Sequence, residues 1–165
     1  MKDDGSGFVP GDLFHVAGAR VYRGDVGEAI HKRASLMAHV LYNAPHENRS
    51  YPEGDDRRGR GRDFATWVFS EEPGLAEELF TCGLELLIDA RLEPDAAVGL
   101  HRHPETEEVY YLLEGSLTMT TLLRDGREVT VTLGPGDAHA VRIGEGHFGR
   151  AGPDGCRFIA VAVRR

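Results

Sequence analysis

The sequence predicts an all-β fold, an antiparallel sandwich or barrel, and three observations predict it. From residue 83 onward, short apolar runs follow one another, separated by Gly, Pro and Asp. Such runs at roughly 8–12-residue spacing mark β-sandwiches and barrels. Two of them, "LTMT" and "TVTL", alternate apolar and polar residues with the period of two expected of a half-buried strand. Between those two, "RDG" at 124–126 is a hairpin signal.

Taken in order, residues 1–18 read as a loose lead-in and "ARVYR", 19–23, as a short strand. Asp25 stands three residues before Glu28, a capping-box pattern. Val26, Ala29, Ile30, Ala34, Met37 and Leu41 then recur near the helical period, so the spacing predicts a short helix over 26–42. The embedded "SLMAHVLY" also suits a strand. Residues 43–63, "NAPHENRSYPEGDDRRGRGRD", are turn chemistry and charge. They read as a long loop, of the kind that serves as a lid. "FATWVF", 64–69, is a strand, with Trp67, Phe64 and Phe69 expected in the core, and "EEPGLAEELF", 71–80, a helical turn. The remaining strands are "LELLIDARL", "AVGLHRH", "EVYYLLEG", "SLTMTTLLRDG", "REVTVTLGPGD", "AHAVRIGEG" and "CRFIAVAVR". The chain therefore divides into an N-terminal extension, 1–70, packing on a barrel domain, 71–165, the two forming one structural domain.

Composition narrows the function classes. A chain of 165 residues is the size of one domain with an adequate core. A net charge of −8 disfavours nucleic acid and anionic membranes, which need a basic face. No apolar run reaches the ~18 residues of a membrane-spanning helix. "MKDDGSGFVP" lacks the pattern of a secretory signal, so a cytoplasmic location is expected. Cys82 and Cys156 accordingly read as reduced core thiols. The "RRGRGR" run, 57–62, is flanked by Asp55, Asp56 and Asp63. It reads as a solvated loop rather than an arginine cluster for a carboxylate or phosphate.

One stretch carries chemistry: "HRHPETEEVYYLLEG", 101–115. On a strand, side chains alternate between faces, so His101 and His103 point one way and Arg102 the other. Their Cα atoms stand roughly 6–7 Å apart, close enough for both imidazoles to reach one metal ion. Pro104 breaks the strand, and a carboxylate at the start of the next arrives beside them. Val109 to Leu113 then supply a buried strand, with Tyr110 and Tyr111 on opposite faces.

These residues resemble the cupins. His101, His103, Glu108 and Gly115 follow the spacing of the first cupin motif, although Gly99 lies nearer to His101 than the family's upstream glycine does. Gly136, Asp137, Gly144 and His147 follow the second motif, with Arg142 where the family usually has Pro and Ala151 where it often has Asn. The resemblance covers about residues 83–163. It implies an antiparallel jelly-roll barrel with one divalent transition metal (Fe, Mn, Ni, Cu or Zn) held by His101, His103, Glu108 and His147. The glycine interval selects Glu108 over Glu107 as the carboxylate, because six residues separate Glu108 from Gly115. Only one of two adjacent glutamates can enter the barrel, with Tyr110 and Leu112 beside it as pocket residues.

The expected function is that of a metal-dependent cupin enzyme acting on a small oxygenated metabolite by dioxygenase, isomerase or epimerase, decarboxylase or lyase chemistry. His139, or a residue of the 43–63 loop, is the acid/base candidate. His15, His31, His39 and His46 have no partner spacing and read as structural. A non-catalytic sugar- or small-molecule-binding sensor is the alternative, and a metal-free epimerase relative a third. As small cupin barrels commonly pair, the resemblance also implies a homodimer.

Overall fold

The computed structural model describes residues 9–10, 25–26, 30–43, 48–71, 76 and 78–165. Its strands are β1 (Val9–Pro10), β2 (Asp25–Val26), β3 (Ile30–His31), β4 (Ala38–Asn43), β5 (Arg62–Ser70), β6 (Leu84–Leu92), β7 (Ala97–Arg102), β8 (Thr106–Leu122), β9 (Glu128–Leu133), β10 (Ala138–Val141) and β11 (Gly146–Arg164). Nine of them form one sheet in the order β1-β4-β5-β6-β11-β8-β10, with β7 pairing β11 and β9 pairing β8. Pairing is antiparallel except where the two residues of β1 run alongside β4. The fold is an antiparallel jelly roll, as the sequence predicts.

Two long strands close the roll. β8 has 17 residues and merges two runs that the sequence shows as separate, while β11 has 19 and extends the "CRFIAVAVR" run back to Gly146. β11 pairs β6 through Cys156–Val163 and β7 through Gly146–Arg150, so it belongs to both faces. Between these stretches its register with β8 shifts, from Ala151 to Cys156. The shift needs glycine. Gly115 has φ 74°, and a Cβ there would lie 2.1 Å from the carbonyl oxygen of Gly155. The two backbones cross too closely for any side chain.

The core lies inside the roll and includes Val40, Trp67, Leu92, Leu112, Leu117, Met119 and Phe158. Alternation puts it there: along β8, Glu108, Tyr110 and Leu112 are buried while Glu107, Val109 and Tyr111 are exposed.

Several expectations are corrected. The helix over 26–42 does not form; residues 27–29 lie outside the described residues, and the remainder holds β3, a 3₁₀ turn at Ala34–Leu36 and β4. Pairing of Ala38–Asn43 with Arg62–Trp67 buries Val40 and Leu41, a non-local gain that overrides a loose helical period. "TVTL" is not half-buried: β9 is exposed through Glu128–Thr132, and only Leu133 is buried. β9 is bound along one edge by β8, with hydroxyl pairs Thr118–Thr132 at 3.1 Å and Thr120–Thr130 at 2.8 Å. Phe64 faces outward between the guanidinium groups of Arg62 and Arg91, and Phe69 packs edge-on against Phe80. Cys82 is exposed rather than a core thiol, whereas Cys156 is buried, and neither is in a disulfide.

The strand over 19–23 and half of the 71–80 turn, residues 72–75 and 77, lie outside the described residues. In the 43–63 segment, residues 44–47 do too, and the remainder is held to the roll by two backbone hydrogen bonds between Arg60 and Ala97, of 2.9 and 2.7 Å. Its arginines are engaged locally: Arg57 with Asp55, Arg60 with Asp56, and Arg62 with Glu93. Among the described residues, no helix is long and apolar enough to cross a membrane.

Candidate metal centre

Four side chains from three strands converge at one end of the barrel interior. His101 is on β7, His103 just beyond it, Glu108 on β8 and His147 on β11. One ligand atom of each lies within 4.8 Å of all the others. Long-range register makes this meeting: His147 pairs directly with His101 across β11 and β7. Their rings stand 4.1 Å apart by centroid, and those of His101 and His103 5.0 Å.

The contacts have the form of converging ligands. Glu108 Oε2 lies 3.0 Å from His103 Nε2 and 3.4 Å from His147 Nε2. Yet this buried oxygen accepts no hydrogen bond. Neighbouring ligands on an octahedral ion with ~2.1 Å bonds stand about 3 Å apart, their lone pairs aimed at a common centre. His101 is set in the tautomer that such a site needs. Its Nδ1 is 2.8 Å from the carbonyl oxygen of Gly99, which only accepts, so Nδ1 carries the proton and Nε2 the lone pair.

Strand parity separates the two glutamates. Glu108 is buried, with 5% of its surface exposed, while Glu107 faces outward. Tyr110 is buried beside Glu108; burial, followed by the charge of Glu108, pushes its pKa well up, so it stays protonated.

A cavity of about 180 Å³ opens beside these ligands, lined among others by His101, His103, Glu108, Tyr110, Trp67 and Phe158. It is smaller than the ~300–1,000 Å³ of most ligand pockets, which suits a small ligand. Trp67 is thus both core and cavity wall. Leu112 is fully buried in the core and does not line the cavity. His139 also stands outside the lining, its Nε2 2.9 Å from the Thr121 hydroxyl; burial lowers its pKa, which favours the neutral ring. His39 sits on the Thr66 hydroxyl at 3.1 Å.

The cavity also contains a residue that motif reading passed over, Asp63 on β5. Its carboxyl is buried, and burial pushes the pKa up to about 7. A sequence signal existed. Asp63 shares strand parity with Ala65 and Trp67, so an acidic residue opens the inward face of "DFATW".

Residues 89–162 match the family model described as a cupin domain. The chain carries a cupin domain. The cupin roll is similar to a predicted oxalate decarboxylase from Thermotoga maritima, at 22% identity and a TM-score of 0.58, covering 81% of this chain and 97% of that one. It is also similar to oxalate decarboxylase from Bacillus subtilis, at 27% identity and a TM-score of 0.53, covering 62% of this chain. The match spans only 25% of the Bacillus chain. Another structure of that Bacillus enzyme concerns its Mn(II) centres. Among curated proteins, none matches this cupin chain.

Proposed function

We propose that the chain is a metal-dependent cupin enzyme acting on a small oxygenated metabolite, with one divalent transition metal held by His101, His103, Glu108 and His147. The observation that carries this reading is the convergence of those four side chains around a buried carboxylate oxygen that accepts no hydrogen bond. Three neutral imidazoles and one carboxylate present a single negative charge to a dication, a nitrogen and oxygen set that suits Fe, Mn, Ni, Cu or Zn. Likeness to the Bacillus oxalate decarboxylase, an enzyme with Mn(II) centres, supports a metal here.

When bound, the cation supplies a Lewis acid at one end of the cavity. The chain's own residues do the rest. The Gly99 carbonyl holds the His101 ring in register. Tyr110, its pKa raised by burial, keeps its proton beside Glu108. Trp67, Ile88 and Phe158 form an apolar wall that excludes water from a ligand's body, strengthening the polar contacts at its ends. The reaction class belongs to the dioxygenase, isomerase, decarboxylase or lyase set. A homodimer is part of the proposal, supported by the outer face of β8 and β11, where Val109, Tyr111 and Val163 are exposed.

Elemental analysis of the purified protein tests the site, with about one metal per chain expected. No metal, together with no uptake of Fe, Mn, Ni or Zn, overturns it. Turnover of diketones, catechols and hydroxy acids by metal-loaded but not chelator-treated protein separates an enzyme from a binding module.

A further inference from the structure

The cavity has two polar ends, and only one belongs to the candidate metal centre. The register places them. Glu108 pairs with Ala162, which pairs with Leu86; Asp63 pairs with Leu92, six residues further along β6. Glu108 and Asp63 therefore stand at opposite ends of one cavity, with Trp67, Ile88 and Phe158 between them.

Two of the three carboxylates in the cavity lining are accounted for: Glu85 pairs with Arg164 at 2.8 Å, and Glu108 belongs to the candidate metal centre. Asp63 differs. The residue is 7% exposed, and its Oδ1 is buried with no hydrogen-bond partner among the described residues. Burial is the sole cause behind its raised pKa, with no donor or cation offsetting it. A buried acceptor left unmade costs about 1–3 kcal/mol, so a group of this kind is retained where a ligand completes it. The lining offers no Lys or Arg among the described residues.

We propose that Asp63 is a specificity-determining residue of this cavity: it accepts a hydrogen bond from a hydroxyl or amine that the substrate carries at the end opposite the metal ligands. The substrate class is then a small chelating molecule with an apolar middle and a distal donor. A compact dianion such as oxalate has no distal donor for Asp63. The inference rests on the cavity being the substrate site. A site built around a buried acceptor discriminates strongly against analogues that leave it unpaired.

The test is calorimetric titration of the metal-loaded chain with three catechols differing in one substituent: 4-ethylcatechol, 3,4-dihydroxybenzyl alcohol and 3,4-dihydroxybenzylamine. Each is run on wild type, Asp63→Asn and Asp63→Leu, with melting curves to show that the variants fold. On wild type, at least one donor compound should bind tenfold or more tighter than 4-ethylcatechol. In both variants that preference should fall below about threefold. Equal affinities on wild type, no binding of any of the three, or a preference that survives both substitutions overturns the inference. Metal content of the same samples keeps the two readings apart. Donor preference without metal sinks the metal reading alone; metal without donor preference sinks the Asp63 reading alone.

Discussion

Replacing Asp63 by Asn should remove a pH-dependent loss of stability that the wild-type chain suffers between acid and neutral pH. Burial raises the Asp63 carboxyl from 3.8 to about 7 in the folded chain. A raised folded-state pKa means that the native state holds its proton more tightly than the unfolded chain does. The associated stability is fully present below pH ~4, the unfolded value, and is lost as pH rises through 7. At ~1.36 kcal/mol per pKa unit, the full loss is about 4 kcal/mol, of which about 2.5 falls between pH 5 and 8. The amide carries no such charge, so its contribution is flat. Asn leaves its own buried polar atoms, and their cost of about 1–3 kcal/mol offsets the variant at every pH without changing the slope. The measurement is therefore a difference of differences. Urea unfolding of both proteins in chelator, at pH 5, 6, 7 and 8, gives wild type minus variant at each pH. Every other ionisable group is common to both proteins, so its contribution cancels in the difference. Wild type should weaken relative to the variant by about 2.5 kcal/mol across the series. A difference constant to within ~1 kcal/mol refutes the assignment, because an Asp63 that ionises normally when folded produces no slope.

Glu108→Gln should weaken metal affinity tenfold or more, while Glu107→Gln changes it little, because only Glu108 faces the histidines; competition with a chelating dye measures both, and loss of metal in the second alone reverses the register. Gly115→Ala should destabilise by about 3 kcal/mol or more, since its Cβ would fall 2.1 Å from the Gly155 carbonyl at a positive φ; an unchanged melting temperature counts against the crossing. His139→Ala should leave metal affinity within about twofold, since outer-shell losses of ~10–100-fold need contact with a ligand and His139 contacts Thr121 instead. Tyr111→Lys together with Val163→Lys should convert the expected dimer to a monomer by light scattering, and a wild type already monomeric at micromolar concentration removes the dimer proposal.

What could be read from the chain alone was whatever depends on local geometry. Adjacent strand residues face opposite sides, so placing His101 with His103 and opposing Tyr110 to Tyr111 needed no knowledge of the rest of the fold; parity also admits only one of Glu107 and Glu108 to the barrel, and the glycine interval of the cupin resemblance selected Glu108. The "RDG" hairpin is equally local: the Gly126 amide donates to Leu123 O at 3.0 Å within the turn. Even here the period has limits. "TVTL" has the alternation of a half-buried strand, but alternation says nothing about whether another element covers it, and β9 is exposed. Tertiary structure decided the remainder, because pairing partners lie far apart in sequence. Ala38–Asn43 suited helix or strand by its own sequence, and pairing with β5 decided between them. His147 meets His101 only because β11 aligns with β7 in that register. Asp63 was visible as the polar start of an inward face, but its burial opposite Glu108 follows from three successive strand pairings. Side-chain direction is set by the backbone within a few residues; which groups share a cavity is set by long-range register, and no local period encodes that.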